Sequence, residues 1–243
     1  MPRGDTYTIF FAAVICVVCS VLLSATSAAL KKQQDLMIEL DRKVNVLKAM
    51  GVPVVENGKP ISSGQVAALF AQHIEEIIID RETGQPVPDL TTDRLSRDQL
   101  EQVKRKSLLP LYRWKDGDEV TRYAFPVSGK GLWSTVYGYL ALEKDLATLA
   151  GATFYRHGET PGLGGEISTG WFQGQFKGKQ VFANGRLQRL EVVKGKVADR
   201  YPQGSNHAVD GISGATLTGK GMNLFLNQDL ENYEKYFRGI RKG

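Results

Sequence analysis

Twenty-two consecutive residues near the start of the chain, Ile9 to Leu30, carry no charged side chain. The stretch reads IFFAAVICVVCSVLLSATSAAL, with Arg3 and Asp5 before it and Lys31 and Lys32 after it. At about 1.5 Å per residue, a helix of that length crosses a hydrocarbon core of about 30 Å. The expectation is an uncleaved transmembrane anchor within residues 1–32. A cleaved export signal is the competing reading, because small residues gather at Ser24–Ala29. The apolar run is long for such a signal. Cys16 and Cys19, the only two cysteines, lie three apart on one helix face and read as lipid-facing or helix-packing residues. With no cysteine beyond them, disulfides and Cys-based zinc or iron–sulfur sites are excluded from the rest of the chain.

Charge leaves the orientation of this anchor in conflict. Lys31, Lys32, Arg42 and Lys43 follow the span, whereas Arg3 and the α-amine precede it. The positive-inside rule alone places the large domain in the cytoplasm, while the signal-like start argues for export. The net charge of +5, from 31 Lys+Arg against 26 Asp+Glu, permits an anionic partner without demanding one.

The 243 residues are 42% hydrophobic and 23% charged, a mix that excludes wholesale disorder. From Gln33 to Met50, Leu36, Leu40, Val44 and Leu47 recur at helical spacing, and the pattern stops at Gly51. A second helix is expected over Ser63–His73 and a strand over Glu75–Asp80. Gln85–Asp98, with Pro86, Pro88, Asp89, Asp93 and Asp98, reads as a loop. Lys104-Arg105-Lys106 is a short basic cluster without interleaved aromatics and reads as a solvated surface in preference to a nucleic-acid patch.

From Leu108 onward the texture is β. Leu108–Arg113 and Val120–Val127 flank the turn Lys115-Asp-Gly-Asp118. Further strands are expected at Ser134–Ala141, Thr148–Arg156, Gly174–Val181 and Leu187–Val193, the last two separated by a turn at Asn184-Gly185. A closing helix is expected over Thr218–Phe237, with Leu224, Phe225 and Leu226 as its core contribution. Strands and helices do not alternate regularly, so the expected fold is α+β, with a mostly antiparallel sheet and flanking helices. The expected layout is an anchor (1–32), a mixed lead-in (33–107) and a ligand-binding α+β domain (108–243).

Two Gly-rich segments carry the chemical information. In His157-Gly-Glu-Thr-Pro-Gly-Leu-Gly-Gly-Glu166, Pro161 fixes one backbone angle while Gly162, Gly164 and Gly165 permit close approaches. Such a loop can lie against a flat ring, or simply join two strands. In Asp210-Gly-Ile-Ser-Gly-Ala-Thr-Leu-Thr-Gly-Lys-Gly221, small and hydroxylic residues precede a helix. That is the composition of a phosphate site at a helix N-terminus, or of a plain cap made by Ser213 or Thr216.

Two other motif matches fail. Gly214-x4-Gly219-Lys220 lacks the Mg²⁺-binding hydroxyl of a P-loop, because Gly221 follows. Gly162-Leu-Gly164 lacks the third glycine of a dinucleotide fingerprint, because Ile167 takes its place. The histidines His73, His157 and His207 show no metal-ligand spacing. His73 reads as structural, His207 as a loop residue, and His157 adjoins the first Gly-rich loop.

Together these residues resemble a known family. Asp210-Gly-Ile-Ser-Gly-Ala-Thr216 is similar to the flavinylation motif of the FMN-binding C-subunit of the sodium-translocating NADH:quinone oxidoreductases. Glu159-Thr-Pro-Gly-Leu-Gly164 resembles that family's second signature, and Gly131-Leu-Trp-Ser-Thr-Val-Tyr-Gly138 and Arg42–Met50 extend the likeness. The resemblance implies FMN joined through its phosphate to the hydroxyl of Thr216, in an ester made by a separate flavin transferase. It implies that Ser213, Gly214, Ala215 and Thr218 surround the phosphate. Thr160, Gly162 and Leu163 are then expected to face the ring, with Glu159 supporting the turn. Trp133 is expected as a stacking wall, a core role being the alternative, and Asp210 as a recognition residue for the transferase. No catalytic residue and no metal site is expected.

The family further implies an electron-relay component of a multi-subunit inner-membrane complex that oxidises NADH, reduces ubiquinone and pumps sodium. Its soluble domain is then periplasmic. The related G-subunit of ferredoxin:NAD electron transport complexes shares Ser-Gly-Ala-Thr, and the long segment from Gly51 to Lys106 favours the NADH:quinone oxidoreductase family. A non-redox membrane-anchored binding module and a free-standing flavin reductase are the remaining readings.

Overall fold

The computed structural model describes residues 4–56, 58–183 and 185–242. Arg3 and Asn184, named above, lie outside the described residues. The chain divides into two compact units, residues 1–42 and 43–243. Helix α1 (Asp5–Ala49) is one uninterrupted helix of 45 residues. By length and composition it can cross a membrane, and the residues of its apolar run are exposed. Within that run the Thr26 hydroxyl donates back to Leu22 O at 2.8 Å, so it adds no unpaired donor to the apolar stretch. The amphipathic pattern after Gln33 continues the same helix. Leu36 is exposed, whereas Val46, Leu47 and Ala49 are buried within the second unit.

Gly51 ends α1 as expected. Its φ of +76° is open to glycine at little cost. Its N–H donates to Lys48 O at 2.9 Å and that of Val52 to Leu47 O at 2.9 Å, the paired bonds of a Schellman cap. A short hairpin, β1 (Val55–Glu56) with β2 (Lys59–Pro60), leads to α2 (Ser63–His73). Ser62 and Gln65 form a capping box at the start of α2. Strand β3 (Ile74–Asp80) follows, then the two-residue strand β4 (Gln85–Pro86).

The segment read as a loop contains more structure than expected. A short 3-10 turn over Thr92–Arg94 is followed by α3 (Arg97–Lys104). The signal for it is the second capping box of the chain, Ser96-x-x-Gln99.

Four long strands then form a meander: β5 (Leu108–Asp116), β6 (Glu119–Lys130), β7 (Thr135–Glu143) and β8 (Leu149–Arg156). The turn between β5 and β6 uses Gly117 at φ +65°, within the Asp-Gly-Asp expected to turn. The sheet order is β4-β3-β5-β6-β7-β8, antiparallel throughout. Strand β3, from the segment before Leu108, pairs with β5 over its whole length.

Beyond β8 come a 3-10 turn (Gly164–Ser168), α4 (Gly170–Gly174) and the two-residue strands β9 (Phe182–Ala183) and β10 (Arg186–Leu187). Strand β11 (Glu191–Val192), the one-turn helix α5 (Val197–Arg200) and β12 (Ala208–Val209), parallel to β11, follow. The long helix α6 (Thr216–Lys242) closes the fold.

The core lies between the sheet and α6. Phe125, Leu140 and Phe154 from the strands meet Leu226, Leu230, Tyr233 and Phe237 from the helix, with Phe172 and Phe176 beside them. The opposite face of the sheet is covered by the end of α1. There Gly151 allows a close approach, because a Cβ at that position would lie 2.7 Å from Ala49 O. Arg122 donates to Met50 O at 2.9 Å.

Four expectations are corrected. Gly174–Val181 is not a strand; Phe172 and Phe176, four apart, align on one side of a helical turn and pack against Phe154. Leu187–Val193 is broken into β10 and β11. The backbone of Leu190 bonds to the side-chain amide of Asn227 (N–H to Oδ1 2.8 Å, O from Nδ2 2.8 Å). Asn223 does the same for Val192 (2.6 and 3.0 Å), so on the edge of β11 away from β12 two α6 side chains take the place of a strand. Leu224 is 69% exposed, whereas Phe225 and Leu226 are core residues. Lys106 is not a solvated cation: it donates to Asp229 Oδ1 at 2.6 Å and to Ser128 O at 2.7 Å.

Asp229 is 2% exposed and also accepts from the Ser128 N–H at 2.8 Å. Burial raises its carboxyl above the usual aspartate value, and Lys106 pulls against that shift. Removing the Asp229 carboxylate leaves the Ser128 N–H without its acceptor and the partly buried Lys106 without its ion-pair partner, which costs about 1–3 kcal/mol. Asp229→Ala is therefore expected to lower the urea unfolding free energy of the second unit by about that amount.

Candidate functional site

The first Gly-rich segment leaves the end of β8 and folds on itself. The N–H groups of Leu163 and Gly165 both donate to Thr160 O, at 3.1 and 2.9 Å, around Gly162 at φ +72°. This turn exposes Thr160, Pro161, Gly162 and Leu163, while Glu159 points inward and is 5% exposed. Its Oε1 accepts from the N–H of Trp133 (3.0 Å) and Ser134 (3.2 Å). Its Oε2 accepts from the N–H of Leu132 (3.1 Å) and the hydroxyl of Thr218 (2.6 Å). Burial raises the Glu159 carboxyl, but these four hydrogen bonds outweigh burial and hold it below the 4.5 usual for glutamate.

Glycine is what lets the segments close around that carboxylate. A Cβ at Gly131 would lie 2.6 Å from Glu159 Oε1, and one at Gly164 would lie 2.6 Å from Thr218 Oγ1. Neither glycine has a positive φ; the requirement is space.

The second Gly-rich segment leads into α6. The Ala215 N–H donates to Ile212 O at 3.0 Å, closing a tight turn with Gly214 at φ +73°. A Cβ on Gly214 would lie 2.7 Å from Leu163 Cδ2, so the two segments touch here as well. Thr216 is the first residue of the helix and is exposed, as are Ser213 and Leu217; Ala215 and Thr218 are buried. The first-turn amides of Thr216, Leu217 and Thr218 have no protein acceptor among the described residues. Thr216 borders a cavity of about 310 Å³ with an apolar floor that includes Phe172 and Met222. Lys194, Arg200 and Lys220 also line it, with Glu191 as the one carboxylate among them, so the cavity carries net positive charge beside the helix N-terminus. Glu191 pairs with Arg200 at 3.0 Å and accepts from the Tyr201 hydroxyl at 2.7 Å.

Residues 131–231 match the FMN-binding domain family. The C-subunit of the Na⁺-translocating NADH-quinone reductase of Vibrio anguillarum is 35% identical over 231 residues, covering 88% of this chain and 86% of that one. Its counterpart in Pseudomonas aeruginosa is 34% identical, covering 99% and 98%. The chain belongs to the C-subunit family of these reductases. Among solved structures, the C-subunit from Parabacteroides distasonis superposes with a TM-score of 0.71 at 28% identity, covering 86% of this chain and 96% of that one. The matched FMN-binding region begins at Gly131, beside the Glu159 carboxylate, and runs well into α6.

The remaining residues singled out in the sequence fall around this centre. Trp133 is 67% exposed, with its backbone pinned to Glu159, so its ring is a surface feature rather than core. The Asp210 Oδ1 accepts from the Val197 N–H at 2.6 Å, and its own N–H donates to Gln175 Oε1 at 2.8 Å; the residue is half-buried. Thr218, read as a phosphate neighbour, donates its hydroxyl hydrogen bond to Glu159 and not toward the helix mouth. His157 Nδ1 accepts from the Glu159 N–H at 3.3 Å. His207 stands 2.9 Å from Gln188 Nε2, and His73 stacks on Trp114 at 4.3 Å between ring centres. No group of three or more His, Cys, Asp or Glu side chains is placed to hold a metal among the described residues. Sequence reasoning missed Lys194 and Arg200, which are distant along the chain and carry no motif.

Two outcomes are expected. Gly164→Ala is expected to push Thr218 off Glu159 and to cost about 1–3 kcal/mol of stability, read by urea unfolding. The lowered carboxyl of Glu159 contributes stability that is complete above about pH 4.5 and is lost as the pH falls through its folded value. The fall in urea midpoint on acidification is accordingly expected to be shallower in Glu159→Gln than in the parent chain.

Proposed function

We propose that this chain is the electron-relay subunit of a sodium-pumping NADH:ubiquinone oxidoreductase, carrying FMN as a phosphoester of Thr216. The observation that carries this reading is the placement of the Thr216 hydroxyl. Thr216 is exposed at the mouth of a helix whose first amides are open, beside a cationic cavity, and Leu163 of the Gly162 turn lies against Gly214, two residues before it. A phosphate fits there on two grounds: unpaired N–H groups with a helix dipole, and the Lys194, Arg200 and Lys220 side chains.

Bound there, FMN supplies reversible electron transfer; the chain supplies place and environment. The amides of Thr216, Leu217 and Thr218 hold the phosphate, with the Ser213 hydroxyl beside them and Gly214 and Ala215 shaping the turn. The exposed Leu163, Thr160 and Gly162, with Trp133, offer an apolar surface for a flat ring. A covalent tether keeps the cofactor on a domain outside the cytoplasm, where free flavin is lost. Asp210 shapes the segment that a flavin transferase recognises. Helix α1 anchors the chain once in the inner membrane, with the second unit on the periplasmic side, among the other subunits of the complex. One span forms no ion channel, so the partner subunits carry sodium.

Intact mass and in-gel fluorescence of the chain made together with the flavin transferase test this reading. An FMN adduct is expected on the peptide that contains Thr216. Thr216→Ala is expected to be colourless and folded, because the side chain is exposed and Thr216 is already inside the helix, where alanine has the higher propensity. Covalent flavin retained in that variant would falsify the assignment.

A further inference from the structure

Glu159 stands apart from the exposed residues of its own motif. Its neighbours Thr160 to Leu163 face outward, yet its carboxylate is 5% exposed and takes four donors from two other parts of the chain. Three of these are successive amides of the β6–β7 connection. The fourth is the hydroxyl two residues after Thr216. A buried charge without partners is expensive. This one is fully paired, and its removal leaves three amides and a hydroxyl without an acceptor.

We propose that Glu159 is a positioning residue: its carboxylate clamps the Trp133 loop to the first turn of α6 and fixes one negative charge beside the Thr216 site. The proposal rests on the flavin reading for its redox consequence and not for its structural half. The clamp sets where the exposed Trp133 ring stands relative to Thr216, because the loop backbone has its acceptor on Glu159 and Glu159 has its donor on the helix. The charge acts through space. A fixed carboxylate disfavours added electron density nearby, so it holds the midpoint potential of a flavin at this site lower than a neutral group would. Glutamine at this position loses the charge and turns an NH2 group toward donors. Aspartate keeps the charge but is one methylene too short to reach both the loop and Thr218.

Hydrogen exchange on the flavin-free Thr216→Ala chain tests the clamp. Both Glu159→Gln and Glu159→Asp are expected to speed exchange at the amides of Leu132, Trp133 and Ser134 about tenfold or more, with the core amides of β6 and β7 unchanged. Unchanged exchange in Glu159→Asp overturns the clamp, and that variant decides the matter where Glu159→Gln does not fold. Redox titration of the flavin-loaded chain tests the charge. Glu159→Gln is expected to move the midpoint potential to more positive values, and Glu159→Asp to leave it near the parent. Equal shifts in both variants, or none in Glu159→Gln, overturn the electrostatic half. A parent chain that takes up no flavin overturns the cofactor reading alone, because the exchange result does not depend on it.

Discussion

The buried carboxylate of Glu159 accepts hydrogen bonds from the β6–β7 connection and from α6, two regions far apart in sequence, and the rest of the site is arranged around it. Gly131 and Gly164 come close enough to it only because neither carries a Cβ. Charge, hydrogen bonds and small residues therefore depend on one another here. The exposed rim around that buried centre is free to meet a ligand because its backbone is held from within.

Helix α6 serves a second purpose through polar side chains. Asn223 and Asn227 bond to the backbone of Val192 and Leu190, in and beside β11, and Asp229 holds Lys106 and the backbone of Ser128. The helix thus stands in for a strand at one point and for an ion-pair partner at another, while Tyr233 and Phe237 fill the core. Its first turn is left open, and the candidate site lies at that turn.

Much of this fold is legible along the chain. Helix α2 has the bounds that its period predicts, the β5–β6 hairpin turns at Asp-Gly-Asp, and Gly51 ends the first helix. Local rules suffice there, because a cap, a turn glycine or a periodic face carries its meaning within a few residues. The departures share a cause. The run at Leu187–Val193 has the composition of a strand, but only its end pairs with another strand, β12, and the backbone of Leu190 and Val192 is bonded on the other edge by asparagines more than thirty residues away. Phe176 falls in a segment of extended texture, whereas packing against Phe154 and Phe172 favours a helical turn. Lys106 belongs to a run of three cations, and nothing nearby in sequence announces Asp229. The short helix α3 is different: its capping box is a local signal, set among prolines and aspartates that otherwise speak for a loop.

The long apolar helix, the β texture after Leu108, and the two Gly-rich segments with their family are written in the chain itself, because each rests on composition or on contiguous residues. How these segments serve the site is a matter of tertiary packing alone. Packing brings Glu159 to Thr218, Lys194 and Arg200 to the cavity beside Thr216, and Trp133 to the surface. Such contacts join residues that share no local pattern. They form when the sheet and α6 bury their common core, and that burial sets distances that no stretch of the chain encodes alone.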